Sequence, residues 1–224
     1  MAENVGQGRE RLVEIQGESV LLPGILVVPP DAKGVVVFAH GSGSGRFSPR
    51  NNFVARVLQA GGLGTLLLDL LTEAEAMDRR LVFDIDLLAD RLLNATTWLR
   101  QDKETEALPI GYFGASTGAA AALQAAAHGD GGIGAVVSRG GRPDLATPYL
   151  PYVQAPTLLI VGGNDVPVIG MNEGALAQLR CPKELVIIPG ATHLFEEPGT
   201  LERVAELARD WFLRYLPQAS RRAA

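Results

Sequence analysis

A single cysteine, Cys181, stands among 224 residues, so no disulfide can form within the chain. It precedes Pro182, between a helix-like and a strand-like stretch, and reads as a small half-buried hydrophobe rather than a nucleophile. Long apolar runs are also missing. None approaches the roughly twenty residues that cross a bilayer, so no membrane contact is expected. The opening residues MAENVGQGRERL are polar and lack the apolar core of a secretory signal, which predicts a soluble cytoplasmic protein. Positive charge is not in excess: 20 Lys and Arg against 25 Asp and Glu leave a formal charge of −5, with the signs interspersed. A nucleic-acid partner would need a basic face, and none is patterned here. Histidine is scarce, with three in the chain, so an imidazole base has three candidates.

Apolar residues make up 47% of the chain and glycines number 26, as suits a fold with many tight turns between strands and helices. Residues 9–15 and 19–28 read as an antiparallel hairpin around Gly17. Stretches 34–39 (GVVVFA), 63–68, 110–113, 133–138, 156–161 and 183–188 are short apolar runs, the pattern of strands buried on both faces. Helical spacing marks 51–60, 83–100 and 201–216, with a shorter helix at 174–179. Residues 70–81 have no clear period and read as a loop with one helical turn. The expected architecture is α/β: a mostly parallel eight-stranded sheet with an N-terminal antiparallel hairpin and helices on both faces. One domain spans 1–216, and 217–224 is a polar, disordered tail.

The stretch PIGYFGASTGAAAA at 109–122 carries the strongest signal. A strand breaks into Gly114-Ala115-Ser116-Thr117-Gly118 and becomes an alanine-rich helix. That is the G-x-S-x-G turn in the setting that exposes a serine Oγ above a sheet. Chemistry in parallel sheets gathers at the carboxyl ends of strands. Four strand ends here carry His40-Gly41-Ser42-Gly43, Ser116, Asp165 and His193, in that order. A serine hydroxyl needs a base, the base needs a carboxylate to orient it, and the oxyanion needs N–H donors. Ser116, His193 and Asp165 fill the first three roles, and the backbone N–H groups of Thr117 and Ser42 the last. Asp69 also ends a strand, but Asp165 falls between serine and histidine in chain order. His40 reads as an anchor for the glycine loop, and His128 as a solvated helix end.

These motifs together resemble the α/β-hydrolase fold family, and within it the small dienelactone-hydrolase-like serine hydrolases. The resemblance runs from the first hairpin to the last helix. It implies a Ser-His-Asp triad and an acyl-enzyme mechanism with no cofactor and no metal. Dienelactone hydrolases proper use a cysteine nucleophile. This chain has Ser116 there and looks closer to the general esterases, and to hydrolase domains that some bacterial proteins carry fused to a phosphoribosyltransferase-like domain.

The expected function is cleavage of carboxylic esters of a small-molecule substrate. A thioesterase, lactonase or amidase would use the same triad, and a non-catalytic ligand-binding module would keep the fold alone. Only residues 139–155 separate the sixth and seventh strands, too few for a helical cap, so loops alone should cover the site. Arg46, Arg139 and Arg142 are candidates to grip a substrate carboxylate, with salt bridges to the chain's own acids as the competing reading. Phe195 and Phe47 are candidates for apolar pocket walls or for core. Oligomeric state is not encoded in any pattern found.

Overall fold

Strand β3 (Val35–Ala39) shows how the molecule is built. Val35, Val37 and Ala39 enter one apolar core, and Val36 and Phe38 enter another on the opposite face. A strand buried on both sides needs an unbroken β-branched or aromatic run, and GVVVFA supplies it. The computed structural model describes residues 8–128 and 132–222. Around β3 lie β1 (Arg9–Gln16), β2 (Leu21–Val28), β4 (Gly64–Leu68), β5 (Ile110–Ala115), β6 (Ile133–Arg139), β7 (Thr157–Gly162) and β8 (Lys183–Ile188). They form one eight-stranded sheet in the order β1-β2-β4-β3-β5-β6-β7-β8. The β1/β2 and β2/β4 pairs are antiparallel and all others parallel, as expected from the sequence.

Helices α1 (Pro49–Ala60) and α7 (Thr200–Arg222) cover one face. The other face carries α4 (Ile85–Leu99), α5 (Thr117–His128) and α6 (Val166–Gln178). Helix α5 is not amphipathic, because residues Thr117 to Ala126 are all buried. A helix enclosed on every side cannot use an apolar stripe. It needs small side chains, and this one is mostly alanine. A Cβ built on Gly114 would fall 2.4 Å from Ala119 Cα, and one on Gly118 would fall 2.2 Å from the Ala39 carbonyl oxygen.

Three stretches differ from expectation. Residues 70–81 hold two single-turn helices, α2 (Glu73–Ala76) and α3 (Arg79–Val82). A capping box between Thr72 and Glu75 and an N-cap at Asp78 set them. Helix α6 starts at Val166, earlier than 174, because Pro167 near its start is compatible with a first turn while Gly170 and Gly174 weaken its pattern. The backbone of α7 stays helical through Pro217 to Arg222, where a disordered tail was expected. Gln, Ala and Arg there have good helix propensity. Ala223 and Ala224 lie outside the described residues. No helix among the described residues is long and apolar enough to cross a membrane.

The α2 turn is pinned from α4. Arg91 donates to Glu75 through both terminal nitrogens, at 2.8 and 2.6 Å, and to the Leu70 carbonyl at 2.5 Å. The hydrogen bond from Arg91 is the main reason that the Glu75 carboxyl is held down at about 2, against an ordinary 4.5.

Three predictions follow from this packing and these contacts. Gly118→Ala should lower stability in urea unfolding by about 1–3 kcal/mol through overpacking. Gly174→Ala, exposed in α6 with nothing within 4 Å of a built Cβ, should raise it by about 0.5–1 kcal/mol. Because the folded carboxyl of Glu75 titrates below its unfolded value, its contribution is complete above pH 4.5 and is lost as pH falls toward about 2. The melting-temperature gap between wild type and Glu75→Gln should therefore narrow over that window and stay constant between pH 5 and 7.

Candidate active site

β5 delivers Ser116 into a left-handed turn with φ of +52°, a conformation that costs a non-glycine residue of order 1–3 kcal/mol. Its backbone is held at both ends. The Ser116 N–H donates to the Arg139 carbonyl at 3.3 Å, and its own carbonyl accepts from Ala119 and Arg142 N–H groups, each at 3.1 Å. The side chain is half-buried at the carboxyl edge of the sheet. The glycine loop after β3 lies directly beside it: a Cβ on Gly41 would sit 3.0 Å from Ser116 Cβ. Ser42 follows Gly41, and Thr117 opens α5, where the first N–H groups have no intrahelical acceptor.

Asp165 and His193 meet across two loops. His193 Nδ1 and Asp165 Oδ2 are 2.6 Å apart, with the carboxylate 13% exposed and the imidazole 38%. Asp165 is also the N-cap of α6, yet its side chain makes no capping bond and goes to His193 instead. With Nδ1–H donated to the carboxylate, Nε2 keeps its lone pair. The serine and histidine loops come together at Gly140, whose φ of +51° turns the chain after β6. A Cβ on Gly140 would fall 3.2 Å from the His193 carbonyl oxygen and 3.5 Å from its Nδ1. Ser116 Oγ and His193 are not hydrogen-bonded to each other in this arrangement.

The competing residues are accounted for by other partners. His40 donates Nδ1–H to the Gly41 carbonyl at 3.0 Å, and its Nε2 accepts the Leu70 N–H at 2.9 Å. Burial holds its pKa below the ordinary value, so it is a neutral anchor of the glycine loop. Asp69 is paired with the Arg46 guanidinium and also accepts the Arg46 N–H at 2.5 Å. Arg46 is thereby a salt-bridged loop residue rather than a free carboxylate clamp. It also lies over the exposed ring of Phe47 at 4.3 Å. Arg142 forks onto Asp144 at 2.9 and 2.8 Å. Phe195 is 2% exposed and belongs to the α1/α7 core, which corrects its reading as a pocket wall. A φ of +55° at Phe195 turns the ring inward and ties down the His193 loop. Arg139 alone of the candidate arginines has no acceptor: it is 8% exposed, and its Nε and Nη1 are buried without a partner. His128 ends α5 exposed, against Tyr149, and Cys181 is partly buried beside Thr157.

Two contributors escaped sequence reasoning. Gly140 is one, and the Gly-Gly pair after a strand was its visible signal. Asn172 is the other. Fully buried inside α6, it donates Nδ2–H to the Gly141 carbonyl at 3.0 Å and to the Val168 carbonyl at 2.8 Å. An asparagine in a helix interior is unfavourable unless it does such work, which is the clue that was available. The segment covering this side is a 3-10 stretch, Pro143–Tyr152, rather than a helical cap.

A crystal structure of a dienelactone hydrolase from Anabaena variabilis is 59% identical, covers 94% of this chain and 99% of its own, and superposes with a TM-score of 0.91. Est1E from Butyrivibrio proteoclasticus shares the fold at 17% identity, with a TM-score of 0.78, covering 91% of this chain and 98% of its own. Two Mycobacterium tuberculosis proteins with a provisional phosphoribosyl transferase name are 56% identical over 208 residues, 93% of this chain. The chain spans about half, 47%, of the length of those curated relatives. The dienelactone hydrolase family matches residues 22–218, and with that match the chain belongs to the dienelactone hydrolase family, on the α/β-hydrolase fold.

Proposed function

We propose that this protein is a serine hydrolase of carboxylic esters, with Ser116 as nucleophile, His193 as base and acid, and Asp165 as the orienting carboxylate. One observation carries the reading: a serine held at positive φ on a strand-to-helix turn converges, around Gly140, with a histidine whose Nδ1 is bonded to a carboxylate. Ser116 Oγ adds to the ester carbonyl carbon while its proton passes to His193 Nε2. The carbonyl oxygen becomes an oxyanion, and the N–H groups of Thr117 and Ser42 stabilise it. Collapse breaks the carbon–oxygen bond to the alcohol, which leaves with the proton from His193. Water then gives its proton to His193 and adds to the acyl carbon, and Ser116 Oγ takes the proton back as the acid departs.

Phosphoribosyl transfer, the activity in the relatives' provisional name, we assign to the part of those proteins beyond the stretch matched here. The matched stretch is the part that the hydrolase family covers.

Turnover of p-nitrophenyl acetate and butyrate tests the assignment. Ser116→Ala should abolish it while leaving the circular dichroism spectrum unchanged; activity retained in that variant rules out the triad. A fluorophosphonate probe should label the wild type and spare Ser116→Ala, whereas a folded wild type that resists labelling supports a ligand-binding module. Asp165→Asn should lower kcat by about 10⁴, since the imidazole then adopts the wrong tautomer.

A further inference from the structure

Leu70, the second residue after β4, is fully buried and has both of its backbone polar groups committed. Its N–H donates to His40 Nε2 at 2.9 Å, and its carbonyl accepts from Arg91 Nη1 at 2.5 Å. Arg91 lies on the buried face of α4 with Leu88, Ala89, Leu92 and Ala95, and is 5% exposed. An apolar side chain would be the ordinary choice there, because trading a buried ion pair for one is often neutral or stabilising. The guanidinium forks onto Glu75, whose Oε2 also accepts the Thr72 N–H at 2.8 Å and the Thr72 hydroxyl at 3.0 Å. Arg91 is thus anchored on one side and holds Leu70 on the other.

From Leu70 the path runs on toward Ser116. His40 donates Nδ1–H to the Gly41 carbonyl at 3.0 Å. A peptide unit is planar and trans, so that carbonyl and the Ser42 N–H form one rigid plate and point in opposite directions. A grip on the carbonyl therefore aims the N–H. The Ser42 N–H has no acceptor among the described residues. The loop that carries it packs on the proposed nucleophile, since a Cβ on Gly41 would lie 3.0 Å from Ser116 Cβ. The far end of the loop is pinned from the same strand end, where Asp69 accepts the Arg46 N–H at 2.5 Å. Asp69 and Leu70 clamp the loop at both ends, and the Arg91–Glu75 fork fixes the residue that orients His40.

We propose that Arg91, anchored by Glu75, is a positioning residue for the oxyanion step: through Leu70 and His40 it aims the Ser42 N–H at the carbonyl oxygen of the substrate. The proposal rests on the hydrolase reading. Its effect falls on kcat, because an oxyanion donor acts on the transition state more than on the bound ester.

Turnover of p-nitrophenyl butyrate is measured per active site, with the sites counted by labelling to completion with a fluorophosphonate probe. Arg91→Met should lower kcat about ten- to a hundredfold and leave KM within about twofold. Arg91→Lys keeps a donor for the Leu70 carbonyl and should restore part of the loss. An unchanged kcat per site in Arg91→Met overturns the proposal, because a residue that only stabilises the fold alters the number of sites and not the rate of each. A double-mutant cycle tests the path. Once His40→Ala has broken the link, Arg91→Met should lower kcat by less than about threefold more, and effects that simply multiply overturn it. Hydrogen exchange covers the case in which Arg91→Met fails to fold or the ester is not turned over. In Glu75→Gln the amides of residues 40–45 should exchange about tenfold faster while those of 110–115 keep their rates. No rise in the loop, or an equal rise in both stretches, overturns the proposal. A loop loosened in this way, in a protein whose wild type resists the probe, rejects the hydrolase reading and keeps the positioning of Ser42 by Arg91.

Discussion

The site depends on how closely α5 leaves the sheet. Helix and strand pass at a separation that admits no Cβ on Gly118, because the carbonyl oxygens of Ala39 and His40 already occupy that space. This contact fixes the crossing of α5 over β3 and so fixes where Ser116 stands above the strand ends. The strained φ of Ser116 is held by the same geometry, with backbone bonds on each side of it. Strain of this kind persists only where neighbours over-determine it. The alanine-rich, wholly buried body of α5 provides that over-determination. The elbow is thus a packing feature of the domain centre that happens to end in a hydroxyl.

The glycine loop is held by a separate chain of polar contacts. Glu75 is forked by Arg91, Arg91 holds the Leu70 carbonyl, the Leu70 N–H meets His40, and His40 holds the Gly41 carbonyl. Each link satisfies a group that would be expensive to bury alone. His40 can do this only as a neutral ring with its proton on Nδ1, since Nε2 must accept. A histidine committed in that way has no lone pair free to act as a base.

Much of the fold was legible in the sequence because fully buried strands have no choice of composition. The continuous runs at β3, β4, β5 and β7 could be read directly, and chain order ranked Asp165 above Asp69. Asp165 shows why the ranking needed order rather than local pattern. It stands where an N-cap stands, and a cap was the ordinary expectation for that residue type. Only a contact with a residue 28 positions away reveals its other use. Phe195 was ambiguous for a similar reason. An aromatic next to a candidate base can face either way, and the positive φ that turns it into the core is invisible in a string of letters. Helix α6 hid behind two glycines, and α2 and α3 were too short to show a period. Among the arginines, composition could not separate the paired from the unpaired, because pairing is decided by partners distant in sequence.

The buried amide of Asn172 has a mechanical consequence. It joins α6, the helix that starts at Asp165, to the Gly141 carbonyl, and the next residue, Arg142, joins the Ser116 carbonyl through its N–H. Asp165 and Ser116 are thereby gauged against each other through that amide and the backbone, along a path that does not pass through His193. The imidazole is suspended between two fixed jaws. Whatever swings the histidine loop changes the angle of the imidazole without altering the gap between Asp165 and Ser116.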